Sequence, residues 1–424
     1  MTIYVSGCDR NILIAASESD DKFNKAYNVG LASLKLFGFQ CQENLLKSAY
    51  TFNLSLTKSD MLPERDLIGE LIKNGKYEIE VGDTITTTDS INESIGENQG
   101  TKVTRRLYLE ILQSGIDLFS DEVLNRLKKE NPRLYETILI KTFGHVFSEK
   151  GFLRSVNKEG SCEALSMLML VHSLKKMREQ LMVISNELNL KLLKSNGDDQ
   201  KLLKSEAMST LYLTSFTFTT SVANLAPKEL LNKLHQYIFE LNEIESALRQ
   251  AITAESTDEE IKMACDKIQQ NQAQIICAGY DWHSEVLIYK RHKTIYHNRG
   301  AFKENGKEIQ VAEVDNSSVS EDAIRELSNR FLRKAVDLKS RSPSFLLAKG
   351  NLALTNIIEI SLKNSKGGHC THASTKAAIY SLFTNNYPKI ERYDLAKPDY
   401  KSFSIFNRKC LKKILNKHPV EGLN

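Results

Sequence analysis

Two stretches of the chain hold the residue types of a cysteine nucleophile and its base. The first runs Tyr280-Asp-Trp-His-Ser-Glu-Val-Leu-Ile-Tyr-Lys-Arg-His-Lys-Thr-Ile-Tyr-His-Asn-Arg-Gly300. β-Branched and aromatic runs on either side of Lys290-Arg-His-Lys293 predict a hairpin, with His283 opening one strand and Asn298 closing the next. A hairpin can set the Asn298 carboxamide beside the His283 ring, and a histidine base needs such a partner to fix its tautomer. The second stretch is Asn364-Ser-Lys-Gly-Gly-His-Cys-Thr-His-Ala-Ser-Thr-Lys-Ala-Ala-Ile379. Gly367-Gly368 permits an unusual backbone, and the small residues after it predict a helix that leaves Cys370 at its N-terminus. There the helix dipole and the unpaired N–H groups favour a thiolate. The same N–H groups can hold an oxyanion, with the Asn364 amide as a candidate further donor.

Cys162, in Glu159-Gly-Ser-Cys-Glu-Ala-Leu-Ser-Met167, also has a glycine before it and a helical pattern after it. It is the alternative nucleophile, with His283 and Asn298 keeping their roles. Cys370 is preferred for its Gly-Gly turn. The chain has 7 cysteines and none forms a C-x-x-C pair, which excludes zinc ribbons, thioredoxin motifs and a disulfide framework. His369, Cys370 and His372 sit too close in sequence to reach one tetrahedral ion. No metal and no cofactor is expected.

The elements that must position these residues follow from hydrophobic periodicity. To about Tyr77 the chain mixes strand-like runs with a helical pattern at Lys22–Phe37, and a polar stretch at 81–102 reads as a surface loop. Together, 1–103 is expected to be an N-terminal mixed α/β region. From 104 to 274 the pattern is helical: Leu107, Leu109, Ile111, Leu112, Ile116 and Leu118 mark one helix, Asp121 is the expected cap of the next, and Ala164–Lys194 is long and amphipathic. Pro227 falls in the first turn of a helix to Arg249, and Ser256 or Thr257 is the expected cap of the one after. The third region, 275–424, holds the hairpin, further strands at Ile309–Val314 and Ile357–Leu362, and helices at Glu321–Leu338, Thr371–Phe383 and Ser404–Asn416. The fold class is therefore α+β.

With 57 Lys+Arg against 53 Asp+Glu the net charge is +4, which advertises no nucleic-acid groove. The N-terminus has no basic segment followed by an apolar run, and no apolar window approaches the about 20 residues of a membrane span. No signal peptide and no integral membrane segment is expected.

The order His283, Asn298, Cys370 resembles the papain-like cysteine proteases of the ubiquitin-like-protease and YopJ-type group. In that group a histidine starts a strand, an acid ends the next strand, and a glycine-rich turn carries the cysteine. Asn298-Arg-Gly300 and Gly368-His-Cys-Thr-His-Ala-Ser374 are similar to segments of papain-like effector domains of intracellular bacteria, and the Cys162 segment resembles the helix start of YopT-like proteases. The departures are Asn298 in place of the acid, Asn364 in place of the oxyanion glutamine, and Trp282 before the histidine rather than after it. The resemblance implies a papain-like cysteine protease core at 275–424 with a large helical insertion or bundle at 104–274. It implies a bacterial effector, secreted into the host cytoplasm without a signal peptide, or otherwise cytoplasmic. The implied activity is that of a peptidase or isopeptidase on a host protein, ubiquitin or a ubiquitin-like protein being the candidate substrate. Acyl transfer, deamidation, or a degraded site that leaves the helical region as an interaction module are the alternatives.

Overall fold

A computed structural model describes residues 65–75, 99–147, 163–194, 225–280, 283–290, 293–297, 309–313, 317, 319–328, 355–360, 370–383 and 397–419. Those from Leu67 onward belong to one compact unit that extends to Asn424. They are mostly helical, with one five-stranded antiparallel sheet.

The helical layer begins with α1 (Leu67–Asn74), α2 (Gln99–Ser114), α3 (Asp121–Glu130) and α4 (Pro132–Phe147). It continues with α5 (Glu163–Lys194), α6 (Pro227–Arg249) and α7 (Asp258–Gln269). Local chemistry sets the starts of these helices. The cap of α3 is Ser120 rather than Asp121, because its hydroxyl accepts from Val123 N–H while the acid fills the first turn. Pro227 opens α6, and the Glu229 carboxylate takes the Ala226 N–H at 2.9 Å. At α7 the expected capping box forms: Thr257 Oγ1 accepts from Glu260 N–H, and the Glu260 carboxylate accepts from Thr257 N–H at 2.6 Å. Thr257→Ala should cost about 1 kcal/mol in an unfolding titration, with Thr257→Ser close to neutral.

The sheet follows as β1 (Gln274–Tyr280), β2 (His283–Lys290), β3 (Lys293–His297), β4 (Ile309–Glu313) and β5 (Thr355–Ile360), each paired with the next in sequence. The expected hairpin is β2–β3, closed by the Lys290–Lys293 pair. Among the described residues three more helices follow: α8 (Glu321–Ser328), α9 (Cys370–Phe383) and α10 (Lys397–Lys417).

β1 and β2 are covered on both faces. Ile275, Cys277, Val286 and Ile288 join the large helical core, whereas Ile276, Ala278, Leu287 and Tyr289 join a second cluster with Ile261, Ile268, Ile324 and Leu327. Alternate residues of a strand point to opposite faces, so one run of apolar residues serves two layers. The parallel bridge of Ile252 to Ile276 covers the outer side of β1. On the helical side, α5 packs against α2, α4, α6, α9 and α10, and α9 packs against β2, β3, α5, α6 and α10. Phe383 at the end of α9 stacks on Tyr237 of α6 at 5.6 Å and touches Phe403 of α10. Among the described residues no helix is long and apolar enough to cross a membrane.

Candidate functional site

The backbone places two of the sequence-predicted residues. Cys370 is the first residue of α9, where a helix offers free N–H groups and the positive end of its dipole. His283 is the first residue of β2, paired with Tyr280 at the end of β1. The register Val286–His297 brings the N-terminal end of β2 to the same end of the sheet as the C-terminal end of β3. His297, Ile309 and Ile360 continue that end across β4 and β5. The helix that Cys370 opens lies against β2 and β3, the two strands that the histidine begins and that Asn298 follows in sequence. Asn298, Asn364 and Cys162 lie outside the described residues, as do the side chains of Cys370 and His283.

A second group of titratable side chains, not singled out by any motif, lies in the helical layer. His172 on α5 and Asp117 in the turn between α2 and α3 meet at 2.8 Å through the imidazole Nδ1, with both side chains buried. The Phe119 N–H also donates to the Asp117 carboxylate, at 3.2 Å, and the Phe119 ring stands edge-on to the imidazole. Cys410 of α10, half-buried and in no disulfide, neighbours the same imidazole. Burial alone would push His172 down. The hydrogen bond to Asp117 and the neighbouring Cys410 outweigh it and raise the imidazole to about 9. Burial likewise opposes ionisation of Asp117, and the bond to His172 more than reverses it, so the carboxyl titrates below its usual range. No motif signals this group, because its three members come from distant parts of the chain.

The other marked electrostatic feature is structural. The Arg106 guanidinium takes both Glu260 carboxylate oxygens at 2.9 and 3.1 Å and the Glu255 carbonyl at 2.9 Å, which ties α2 to the start of α7. Among the described residues no three His, Cys, Asp or Glu side chains converge as ligands of a metal ion.

No protein-family model matches the chain, and no curated protein sequence matches it. Among solved structures it is similar to that of AnkH, a Legionella effector, at a TM-score of 0.42 and 11% identity, over 86% of this chain and 76% of that one.

Proposed function

We propose that the chain is a cysteine-dependent acyl-transfer enzyme of papain-like type, acting as a secreted bacterial effector on a host protein, with a ubiquitin-like protein as the candidate substrate. The observation that carries this reading is the position of Cys370 at the N-terminus of a helix packed on the strand that His283 opens. A helix N-terminus lowers the free energy of a thiolate and presents donors to an oxyanion in the same place. In the mechanism His283 accepts the Cys370 proton, Asn298 fixes the imidazole tautomer, and the thiolate adds to a carbonyl carbon. The backbone N–H groups at the start of α9, with the Asn364 amide, hold the oxyanion. The amine leaves with the proton from His283, and a thioester remains. Water then releases the acid, which makes a peptidase or isopeptidase. Release to an amine makes a transferase, and attack on a glutamine amide followed by water makes a deamidase.

The test is labelling of the folded chain with a limiting amount of iodoacetamide at neutral pH, read cysteine by cysteine by peptide mass spectrometry. Cys370 is expected to react at least tenfold faster than an unstructured peptide thiol, and His283→Ala to remove the excess. Fast labelling at Cys162 alone would move the nucleophile to that residue. Ordinary rates at both would sink the enzyme reading. The helical layer would then be the working surface, a second reading favoured by Val183 and Leu190, which lie exposed seven residues apart on one face of α5.

A further inference from the structure

The helix α10 concentrates a charge that the chain as a whole nearly balances. Every exposed residue of α10 from Lys401 onward is cationic apart from Asn416: Lys401, Arg408, Lys409, Lys412, Lys413 and Lys417. Asp399, in the first turn, is the only acid of the helix. The opposite side is committed to the fold. Phe403, Phe406, Leu411, Ile414 and Leu415 lie in the large core, and Asn407 Oδ1 accepts from Ser173 Oγ of α5 at 2.6 Å in a buried contact. At the helical period Lys401, Arg408, Lys409, Lys412 and Lys413 fall on one side, away from that core. α10 is held against rolling, so these cations stay turned to solvent.

Solubility alone does not call for such a face. Elsewhere the chain sets opposite charges four residues apart, as in Arg106–Glu110, Arg126–Glu130 and Glu245–Arg249. On α10 the same spacing joins Arg408 to Lys412, Lys409 to Lys413 and Lys413 to Lys417, pairs that repel and weaken a helix. The helix dipole favours cations in the last turn only, and Lys401, Arg408 and Lys409 lie before it. Asp121 of α3 answers Lys417 at 2.6 Å, with His418 at 3.6 Å from the same carboxylate. Among the described residues no carboxylate pairs with Lys401, Arg408, Lys412 or Lys413. An anionic partner would relieve the repulsion that the fold leaves in place.

The chemistry of the face selects among anionic partners. Its cations are lysines with a single arginine. A lysine is a compact point charge suited to a diffuse anionic field, whereas the arginine fork reads phosphates and bases one by one. From Lys401 onward no exposed aromatic side chain stands among the cations to stack a base. The cations spread over about 24 Å along the outer side of a helix, which matches a plane better than a groove. We propose that the exposed face of α10 docks the chain on a bilayer rich in anionic lipid, as a peripheral and purely electrostatic contact. The apolar side of α10 is spent on the core, so this helix does not insert among acyl chains. The proposal goes beyond the acyl-transfer reading and does not depend on it.

The full chain would be floated with vesicles of phosphatidylcholine alone and of phosphatidylcholine mixed with phosphatidylserine. Binding to the anionic vesicles is expected to be at least about tenfold tighter than to the neutral ones. It should be lost in about 0.5 M salt, where the screening length falls to about 4 Å. A cation at an anionic surface is worth about fivefold, so Lys412→Gln with Lys413→Gln should weaken binding by about twentyfold. Arg408→Gln with Lys409→Gln supplies a second, independent loss on the same face. The pair Lys228→Gln with Lys262→Gln removes the same charge from exposed positions on α6 and α7 and should leave binding nearly unchanged. Equal binding to the two kinds of vesicle overturns the proposal, as does an equal loss in the α10 variants and the α6–α7 variant. Binding that survives the salt would mean insertion of apolar residues and would also overturn it. A duplex DNA probe bound more tightly than the anionic vesicles would assign the face to nucleic acid instead. Vesicle binding is read apart from cysteine labelling, so failure here is distinct from failure at Cys370.

Discussion

Replacing Glu245 with alanine should lower the stability of the chain by about 3–5 kcal/mol, the usual cost of leaving buried charge without its partner. Glu245 lies on α6 with its side chain 9% exposed. One carboxylate oxygen takes Arg178 Nη2 of α5 at 3.1 Å, and the other takes Arg249 Nε and Nη2 at 3.1 and 2.8 Å. Arg249 reaches further, donating from Nη1 to the Leu112 carbonyl near the end of α2 at 2.7 Å. A single carboxylate therefore serves three helices and two guanidinium groups, which are 18% and 16% exposed. Arg178 has no slack, since its buried Nε already lacks a partner. Glu245→Gln keeps the volume and one acceptor but loses the charge, and should cost less than alanine. The exposed pair Arg126–Glu130 is the internal comparison: with side chains 37% and 43% exposed, its loss should cost at most about 0.5 kcal/mol. Urea titrations of the three variants would measure this ordering. A Glu245→Ala cost as small as that of Glu130→Ala would refute the account of the helical layer as joined through this carboxylate.

The elements of the helical layer could be read from the sequence because their signals are local. Thr257 caps α7 and Pro227 opens α6 as expected, since a cap or a proline acts within one turn of itself. Ser120 displaced Asp121 as the cap of α3 by one residue, a margin that a hydroxyl and a carboxylate side by side do not resolve in a sequence. The strand β1 has no strand signal in the sequence. Ile275-Ile-Cys-Ala278 is apolar without alternation because helices cover both faces, and a short apolar run does not declare its period. The polar stretch expected as a loop to residue 102 gives way to helix from Gln99, where no apolar stripe marks the first turn. At the candidate site the His283–Asn298–Cys370 order came from local motifs, and the backbone sets the first and last of these on a strand and on the helix packed against it. The Asp117–His172–Cys410 group could not be found that way. Its members come together only when α5 and α10 pack beside the turn after α2, and pairing of distant polar side chains leaves no periodicity behind.

That buried group also sets how stability should depend on pH. His172 is raised from 6.5 to about 9 in the folded chain. A group that holds its proton more tightly when folded stabilises the fold below its unfolded value, and that contribution is lost as pH rises through the folded one. The stabilisation from His172 should therefore be complete at pH 6 and disappear between about 6.5 and 9. At about 1.4 kcal/mol per pH unit it amounts to about 3 kcal/mol. Asp117 supplies the opposite limb: its carboxyl is held low, so its share is present at neutral pH and lost as pH falls below about 4. The expected profile is a plateau from about pH 5 to 6.5 with a decline on the alkaline side that begins well before lysines and tyrosines titrate. His172→Gln should flatten that decline. Asp117→Asn should shrink it as well, because burial then acts against the imidazolium with only Cys410 left to support it. Denaturant unfolding at closely spaced pH values would measure the profile. Equal stability at pH 6.5 and pH 9 in the wild-type chain would mean that His172 is neutral in the fold, and the account of a buried Asp117–imidazolium pair would fall.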